Sequence, residues 1–554
     1  MKISGEQILV ALFFCVLLYL GPGSYLNHEL SHDFPYGYGA SDAFQHQVRA
    51  EAIKDAGNFR YEAAYISSSL EGVVGRYPPV LYHLGVLLSS AAGIQVYDGI
   101  YFLILFFSVL GIAGFYCLLR EYNKTIALLA LPLTILIFSF PASIGLYWGH
   151  WPSILGQVFL MGFVWAVSKS SLKGSWALIA MALSSVMLAH TSEAIFGMIF
   201  LGMFLAAQAL AKSLSFEKLK NVVIGLCASA LVSSYYLIIF MNTWAKAQPY
   251  RFSIEALWQG NPGFYLTGFG FLLLPVTIGM LIGLLKAKEA PVAAIAGFAF
   301  LLSGFMNYIG FGLRSFQLRF FWPVYLSIFL GLGMYVLLKP AIRKFGAVAA
   351  MGCSIALVVM MSGVIAWPVL AQKESHAIPS LPYLKGYGQG MMDLSHWQAL
   401  QWISSSTPQD AKVYFFYGDM YNNDALLRNS KRIHYQVDPQ GFVAKLQERA
   451  ISRRYLTELP GDSGGGMAVR NGLFSFSYAA EGIPQEFFFG EMDICTFDYF
   501  IFDKVSRQQV LAEYNLLIAS ELQKQGAEGV FANDAIVIMK NGKKGGACIE
   551  ERTF

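Results

Sequence analysis

The sequence predicts a polytopic α-helical membrane protein with an α/β domain outside the membrane at its C-terminal end. Three observations predict it. Of 554 residues, 56% are hydrophobic and 13% charged, and the mean hydropathy of +0.50 is too high for an ordinary soluble enzyme. Apolar stretches of membrane-spanning length recur through the first 370 residues. Lys and Arg collect in every second loop between them. The net charge of +4 carries no signature of nucleic-acid binding.

A bilayer core takes about 20 apolar residues per helix. Such stretches lie near 7–23, 98–119, 125–147, 153–168, 175–189, 193–211, 221–241, 264–285, 291–309, 320–338 and 346–368, which makes about eleven spans. With Lys2 inside, the inside loops hold Arg120 and Lys124, then Lys169 and Lys173, then Lys212, Lys218 and Lys220. Lys286 and Lys288 follow, and last Lys339, Arg343 and Lys344. The alternation makes "YPPVLYHLGVLLSSAAG" (77–93) a dipping or interfacial helix, because an extra span would break it. The first stretch lacks a basic cluster and a clear small-x-small cleavage site, and reads as an uncleaved anchor. The expectation is a multi-pass protein of the plasma membrane or its equivalent, with a cytoplasmic N-terminus and an extracytoplasmic C-terminal domain.

The chain divides into a membrane part (1–370) with a long first outer loop (24–97), a Pro/Gly-containing connector (371–390) and the outer domain (391–554). In that domain "LSHWQALQWISSS" reads as an amphipathic helix ending before "TPQDA", and "KVYFFYG" (412–418) and "FDYFIFD" (497–503) as strands. Residues 506–525 follow helical 3–4 spacing, and "GVFAND" with "AIVIMKN" forms a hairpin with "ND" at its turn. Cys15, Cys117, Cys227 and Cys353 fall in spans, where cysteine is a small apolar residue. Cys495 and Cys548 lie in the outer domain; an oxidising compartment pairs them if they are close, which the sequence does not reveal.

Ionisable groups at the edge of a bilayer are costly and tend to be functional. In this topology they gather on the outer side: Asp42, His46 and Arg49 in the first loop, His150 in "LYWGHWPS", and His190 and Glu193 in "LAHTSEAIF". Tyr250 and Arg251, and then Arg314 and Arg319 in "GFGLRSFQLRFFWP", complete the set. A cavity gathering these groups would be bordered by lipid and by water. Each has a plainer reading. Asp42 with Gln45 fits a capping box, which is compatible with catalysis. Asp42, His46 and Arg49 share a helix face, which also fits a merely solvated one. His150, His190 and Glu193 also fit ordinary loop-facing groups, and Arg314 and Arg319 fit interfacial anchors.

Two protease patterns need weighing. "HELSH" places His28 and His32 on one helical face with Glu29 as base, a zinc-binding spacing, with Asp33 nearby. Its helix would have to fit between Gly23 and Pro35, and no third ligand is identified. "GDSGG" (461–465) resembles a serine-protease nucleophile loop, but the rest of that constellation is missing and a glycine-rich surface loop is the better reading.

The order of parts resembles the GT-C superfamily of integral-membrane glycosyltransferases, which includes the oligosaccharyltransferase catalytic subunit and the protein O-mannosyltransferases. One span precedes a long outer loop with an early acidic residue, "ASDAFQHQVRAEAIKDAGNF". "GRYPPVLYHLGVLLSSAAG" looks like the family's Tyr-Pro-Pro-Leu-Tyr segment, "MLAHTSEAIFGMIFL" like a His-Pro-like turn of microbial members, and "RFFWPVYLSIFLGLG" like a late Arg-Tyr-x-x-Pro span. "WQALQWISSSTPQDAKVYFF", "FDYFIFDK" and "VFANDAIVIMKN" look like the entry and closing strands of its outer domain. The Trp-Trp-Asp-Tyr-Gly acceptor motif is absent; "FFYGDMYNND" stands near its place, and the first loop holds one Asp where several members carry an acidic pair. Sequon recognition and a metal-dependent mechanism of that type are therefore not carried over.

The resemblance implies transfer of a sugar from a polyprenyl-phosphate carrier to a glycan, protein or lipid acceptor outside the membrane. Asp42 would be the general base. Arg319, Arg314 or His190 would face the leaving phosphate, with His46, Arg49, His150, Glu193, Tyr250 and Arg251 binding substrate. Tyr250, Trp258 and Trp148 suit stacking on a sugar face. Whether a divalent cation is needed is left open. The rivals are a transporter or flippase of a lipid-linked substrate, for which no inverted repeat is visible, and a zinc protease using His28, Glu29 and His32.

Overall fold

The computed structural model describes residues 4–23, 34–35, 38, 41–59, 63–66, 73–74, 77–138, 144–147, 149–243, 270–285, 291–303, 321–362, 392–419, 424–458, 468–471, 474–477 and 489–554. Helix α1 (Gly5–Leu18) opens on a capping box: the Ser4 hydroxyl accepts the Gln7 N–H while the Gln7 amide oxygen accepts the Ser4 N–H at 2.8 Å. It ends in a π-helical turn, Tyr19–Gly23. Helix α2 (Ser41–Asp55) follows, then the short strand β1 (Val73–Val74), α3 (Val80–Ala92) and the long α4 (Val96–Tyr122). Next come α5 (Lys124–Ala130), α6 (Ile144–Tyr147), α7 (Trp151–Ser168), α8 (Trp176–Ala189), α9 (Thr191–Leu210) and α10 (Phe216–Val232). Helices α11 (Ser234–Thr243), α12 (Leu273–Leu285), α13 (Val292–Ser303), α14 (Trp322–Leu337) and α15 (Lys339–Ser362) complete the helical part.

Where they are described, the apolar stretches of the sequence fall on helical segments. Among the described residues, five helices are long and apolar enough to cross a membrane: Gly5–Pro22, Val96–Tyr122, Trp151–Ser168, Thr191–Leu210 and Lys339–Met360. Six more are apolar but shorter, Val80–Ala92 among them. Two stretches that read as continuous are broken. The one at 125–147 leaves the α-helix at Leu131 and tightens into a 3₁₀ run to Phe138 around Pro132, which has no N–H to continue the ladder. The one at 221–241 divides at Ser233 between α10 and α11.

Small residues set the helix contacts. A Cβ at Gly279 of α12 would lie 1.8 Å from the Phe329 carbonyl oxygen, and one at Gly333 of α14 1.9 Å from that of Pro275. These two helices touch backbone to backbone, as membrane helices with small interface residues do. At one end of the bundle the buried Glu6 carboxylate accepts from Arg120 Nε (2.8 Å) and the Tyr116 hydroxyl (3.0 Å) and pairs with Lys124. Arg120 and Lys124 belong to the first basic loop of the sequence.

The C-terminal part is built on a seven-stranded mixed sheet. Helix α16 (Leu394–Ser406) leads to β2 (Lys412–Phe415), α17 (Asp424–Leu427), β3 (Ile433–Val437), α18 (Pro439–Gln447), β4 (Ala450–Ile451) and β5 (Arg454–Glu458). Strands β6 (Ala468–Asn471), β7 (Phe474–Ser477), β8 (Phe489–Asp493) and β9 (Tyr499–Asp503) follow. Helix α19 (Gln509–Lys524), β10 (Glu528–Ala532), β11 (Ile536–Lys540) and β12 (Arg552–Thr553) come last. The order is β10-β11-β9-β2-β3-β5-β8; β2 runs parallel to β3 and β9, and the outer pairs are antiparallel. The β10–β11 turn is held by Asn533, whose side-chain oxygen accepts the Ala535 and Ile536 N–H groups. Ladder pairing in β2 stops at Phe415, three residues short of the run that reads as a strand.

Alternation divides the central strands between two cores. Tyr414, Phe416, Phe500 and Phe502 pack with Leu511, Tyr514 and Ile518 of α19. Val413, Phe415 and Ile501 face the other way and join Trp397, Leu400 and Ile403 of α16 in the cluster that also contains the helical bundle. The strand β1, from the first loop, pairs antiparallel with β6. Cys495 and Cys548 form a disulfide spanning 53 residues. Closing a loop of that size lowers unfolded-chain entropy by roughly 4 kcal/mol on the chain-entropy account.

His396 fastens α16 to the sheet: its Nδ1 lies 2.7 Å from Asp393 and its Nε2 3.1 Å from the buried Asp503. Burial lowers the imidazole pKa, but hydrogen bonds and charge from the two carboxylates outweigh it and hold the value at about 9, above the usual 6.5. A folded pKa above the unfolded one stabilises fully below pH 6.5 and is lost as pH rises through about 9. The thermal midpoint, followed in detergent, is expected to fall across that window in the wild type. In His396→Gln the slope should flatten; an unchanged slope would locate the titration elsewhere.

Candidate functional site

Helix α2 carries the residues that the sequence singles out first. Asp42, His46 and Arg49 sit at i, i+4 and i+7, on one face. The helix begins at Ser41, which puts Asp42 inside the first turn rather than at the cap, where the helix dipole favours a carboxylate. The face is packed rather than solvated. His46 is 4% and Arg49 2% exposed. The His46 Nδ1 lies 2.9 Å from the Tyr82 hydroxyl, and its ring lies 5.3 Å from that of Tyr77. The Arg49 guanidinium lies 5.7 Å from the centre of the Tyr77 ring. Both tyrosines belong to "YPPVLY", so this segment is the bed on which α2 lies.

Asp42 itself stays half-buried, at the end of α2 that meets the start of α7. The meeting is backbone on backbone. Gly149 has φ +78°, and a Cβ there would fall 2.2 Å from the Ala43 nitrogen and 2.7 Å from the Asp42 carbonyl carbon. Only glycine satisfies both the left-handed turn and the contact. His150 follows as the buried residue preceding α7. Trp151 then donates from Nε1 to the Leu146 carbonyl at 2.9 Å and packs 4.7 Å from Tyr38, whose hydroxyl donates to the Tyr97 carbonyl at 2.8 Å.

A second cluster continues from the same helix end. The Glu193 carboxylate is fully buried; Ser153 Oγ donates to one oxygen at 2.8 Å, and His190 Nδ1 lies 2.6 Å from the other. Gln157 donates to Ser153 Oγ at 3.0 Å and accepts the Phe321 backbone N–H at 2.9 Å. Phe321 stands two residues after Arg319 in the chain. With Nδ1 committed to Glu193, the imidazole of His190, which is 22% exposed, presents Nε2 as its remaining polar atom. His150, Ser153 and Gln157 follow at i, i+3 and i+7, so one polar stripe of α7 joins both clusters.

His28, Glu29, His32, Asp33, Trp148, Tyr250, Arg251, Trp258, Arg314 and Arg319 lie outside the described residues, as do the GDSGG loop (461–465) and the connector 371–390. Among the described residues no group of three or more His, Cys, Asp or Glu side chains is arranged to hold a metal ion. Gly149, Ser153 and Gln157 are absent from the residues expected from the sequence. The signal for the last two was present: Ser and Gln at 3–4 spacing after His150, on a helix otherwise apolar.

No family model matches the sequence, and no curated protein matches it. Solved structures match by shape. ArnT from Cupriavidus metallidurans, in the apo state, aligns over 99% of this chain and 100% of its own, with TM-score 0.55 and 10% identity. The same protein bound to undecaprenyl phosphate aligns over 96% and 98%, with TM-score 0.52 and 11% identity. The Archaeoglobus fulgidus oligosaccharyltransferase tethered to an acceptor peptide with the NVT sequon aligns over 97% of this chain and 74% of its own, with TM-score 0.51 and 14% identity. In two other structures of that oligosaccharyltransferase the chain spans 64% and 66% of its length. Both neighbours are GT-C glycosyltransferases, and the chain has their fold.

The Gly149 contact is testable by itself. Gly149→Ala is expected to cost about 2 kcal/mol through its positive φ and the clash with Ala43. Gly162→Ala, inside α7 with open space at the Cβ position, should not lower the thermal midpoint. Equal midpoints for both variants would mean that the α2–α7 contact gives way without cost.

Proposed function

We propose that this chain transfers a sugar from a polyprenyl-phosphate carrier to an acceptor on the extracytoplasmic side of a membrane. The observation that carries the reading is the fold shared, end to end, with a GT-C enzyme that has been seen with undecaprenyl phosphate. The placement of Asp42 supports it: a half-exposed carboxylate at the first turn of a helix that is otherwise fixed by buried groups. The topology in this reading is about eleven spans with a cytoplasmic N-terminus. The membrane part covers 1–370, and the extracytoplasmic domain begins after a connector at 371–390.

The chemistry follows from where the carrier must lie. Its tail stays in lipid, so reaction occurs at the bilayer edge, within reach of the α2–α7 junction. The acceptor hydroxyl oxygen attacks the anomeric carbon and its proton passes to Asp42. The bond from that carbon to the phosphate oxygen breaks, and the electron pair leaves with the polyprenyl phosphate. That leaving group gains negative charge, which fixed cations must meet. Arg319 or Arg314 serves this role, and His190, its ring oriented by Glu193, faces the same phosphate through Nε2. His46 and Arg49 hold α2 in place behind Asp42, and Tyr250 and Arg251 border the substrate. A single displacement inverts the anomeric centre.

Native mass spectrometry of the detergent-purified protein is the first test. A co-purifying polyprenyl phosphate, with or without a sugar, supports the reading and names the donor. Stoichiometric zinc that is lost in His28→Ala would put the protease reading in front, and neither ligand would favour a transporter or flippase. With the donor known, Asp42→Asn is expected to lower transfer by roughly 10²–10⁴-fold at normal expression; full activity would remove Asp42 from its role. Product analysis by NMR should then show the inverted anomer, and a retained one would rule out single displacement.

A further inference from the structure

A cavity of about 770 Å³ opens between α2, the start of α4 and α16. It lies beyond the Asp42 site: its α2 wall is formed by Glu51, Lys54 and Asp55. Glu51 is nine residues on from Asp42, about 14 Å along the helix axis. The facing wall is Gln398, Gln401 and Trp402 of α16. Their 3–4 spacing sets them on one side of that helix, while Ala399, Leu400 and Ile403 are buried on the other.

The lining states what it would hold. Trp402 is half-exposed and braced by Phe531, with ring centroids 5.5 Å apart, so it offers a fixed aromatic face. The side-chain amides of Gln398 and Gln401 have no partner among the described residues and offer donors and acceptors to a ligand. The charges cancel: carboxylates at Glu51 and Asp55 stand against ammonium groups at Lys54 and Lys431. Lys431 bridges both carboxylates, at 2.9 and 3.0 Å, and Lys54 donates to Ser89 Oγ at 3.1 Å. A phosphate or sulfate would want a net positive lining, and a basic peptide a net negative one. A lipid tail would strand the amides and carboxylates. A neutral polyol with an apolar ring face meets every group present.

We propose that this cavity is a saccharide subsite, with a sugar ring on Trp402 and its hydroxyls on Gln398, Gln401 and the Glu51 carboxylate. That the saccharide is the glycan portion of the acceptor rests on the glycosyl-transfer reading above; that a saccharide binds does not. The cleft joins the first loop to the C-terminal part, so it forms only when both are folded and docked.

The test uses the full-length protein in detergent on an array of neutral hexose and N-acetylhexosamine oligosaccharides, with the strongest responder titrated by calorimetry. Binding is expected in the wild type and in Asp42→Asn alike. Trp402→Ala should weaken it at least about tenfold, and Trp402→Phe, which keeps an aromatic face and controls for folding, should retain most of it. An array without a bound glycan overturns the proposal, as does equal binding by Trp402→Ala, or binding lost in Asp42→Asn, which would place the glycan at the other site. Saccharide binding by a protein that carries no polyprenyl phosphate and transfers nothing would uphold the subsite and sink the transfer reading.

Discussion

The packing of helix α2 between the helical bundle and the sheet is the constraint on which the remaining structure depends. Every neighbour grips it differently. Gly149 abuts its first turn. Tyr77 and Tyr82 hold its His46 and Arg49. Phe44 packs 5.8 Å from Trp397 of α16. At its far end Glu51 and Asp55 pair with Lys431. Burial lowers the Lys431 pKa, but the two carboxylates more than restore it, so the residue stays charged against its partners. Glu51 is the most enclosed member, at 11% exposed against 38% for Asp55, so losing Lys431 would fall hardest on the Glu51 carboxylate. A helix held this way presents Asp42 at a fixed position without Asp42 itself being enclosed.

The Glu193 cluster has a similar logic at a different depth. A carboxylate with no exposure persists because each oxygen has a donor, from Ser153 and from His190. The chain of bonds then runs through Gln157 to the backbone entering α14. Its members come from α7, α9 and the approach to α14. The network thus ties the segment that follows Arg319 to the helix that also sets Asp42. On the glycosyl-transfer reading proposed above, the two ends of the reaction, proton acceptance and phosphate release, would share this one preorganised frame.

Coupling between the helical part and the C-terminal part is also chemical. One face of the central strands shares its core with the bundle, β1 adds an edge pairing to β6, and α16 carries polar residues into the cleft against α2. The sheet is therefore a wall of the site region rather than an appendage. A glycan lying along α2 would touch both parts at once.

The elements themselves were legible in the sequence. An apolar run of about 20 residues must be helical in lipid, because no water is there to satisfy its backbone. Hence the described parts of the apolar stretches are helical, and period-2 and 3–4 spacing placed β2, β9, α16 and α19 to within a few residues. The shared face of Asp42, His46 and Arg49 also follows from helix geometry alone. Local chemistry hid two breaks, at Pro132 and Ser233, inside stretches that hydropathy merges. What only the tertiary structure decided is which distant residues meet. The touch of Gly149 on Ala43, the Ser153–Glu193–His190 cluster, Lys431 against Glu51 and the order of seven strands join residues far apart in the chain. A sequence specifies such pairings through the summed packing of the whole molecule, and no single stretch carries enough of that sum to reveal them.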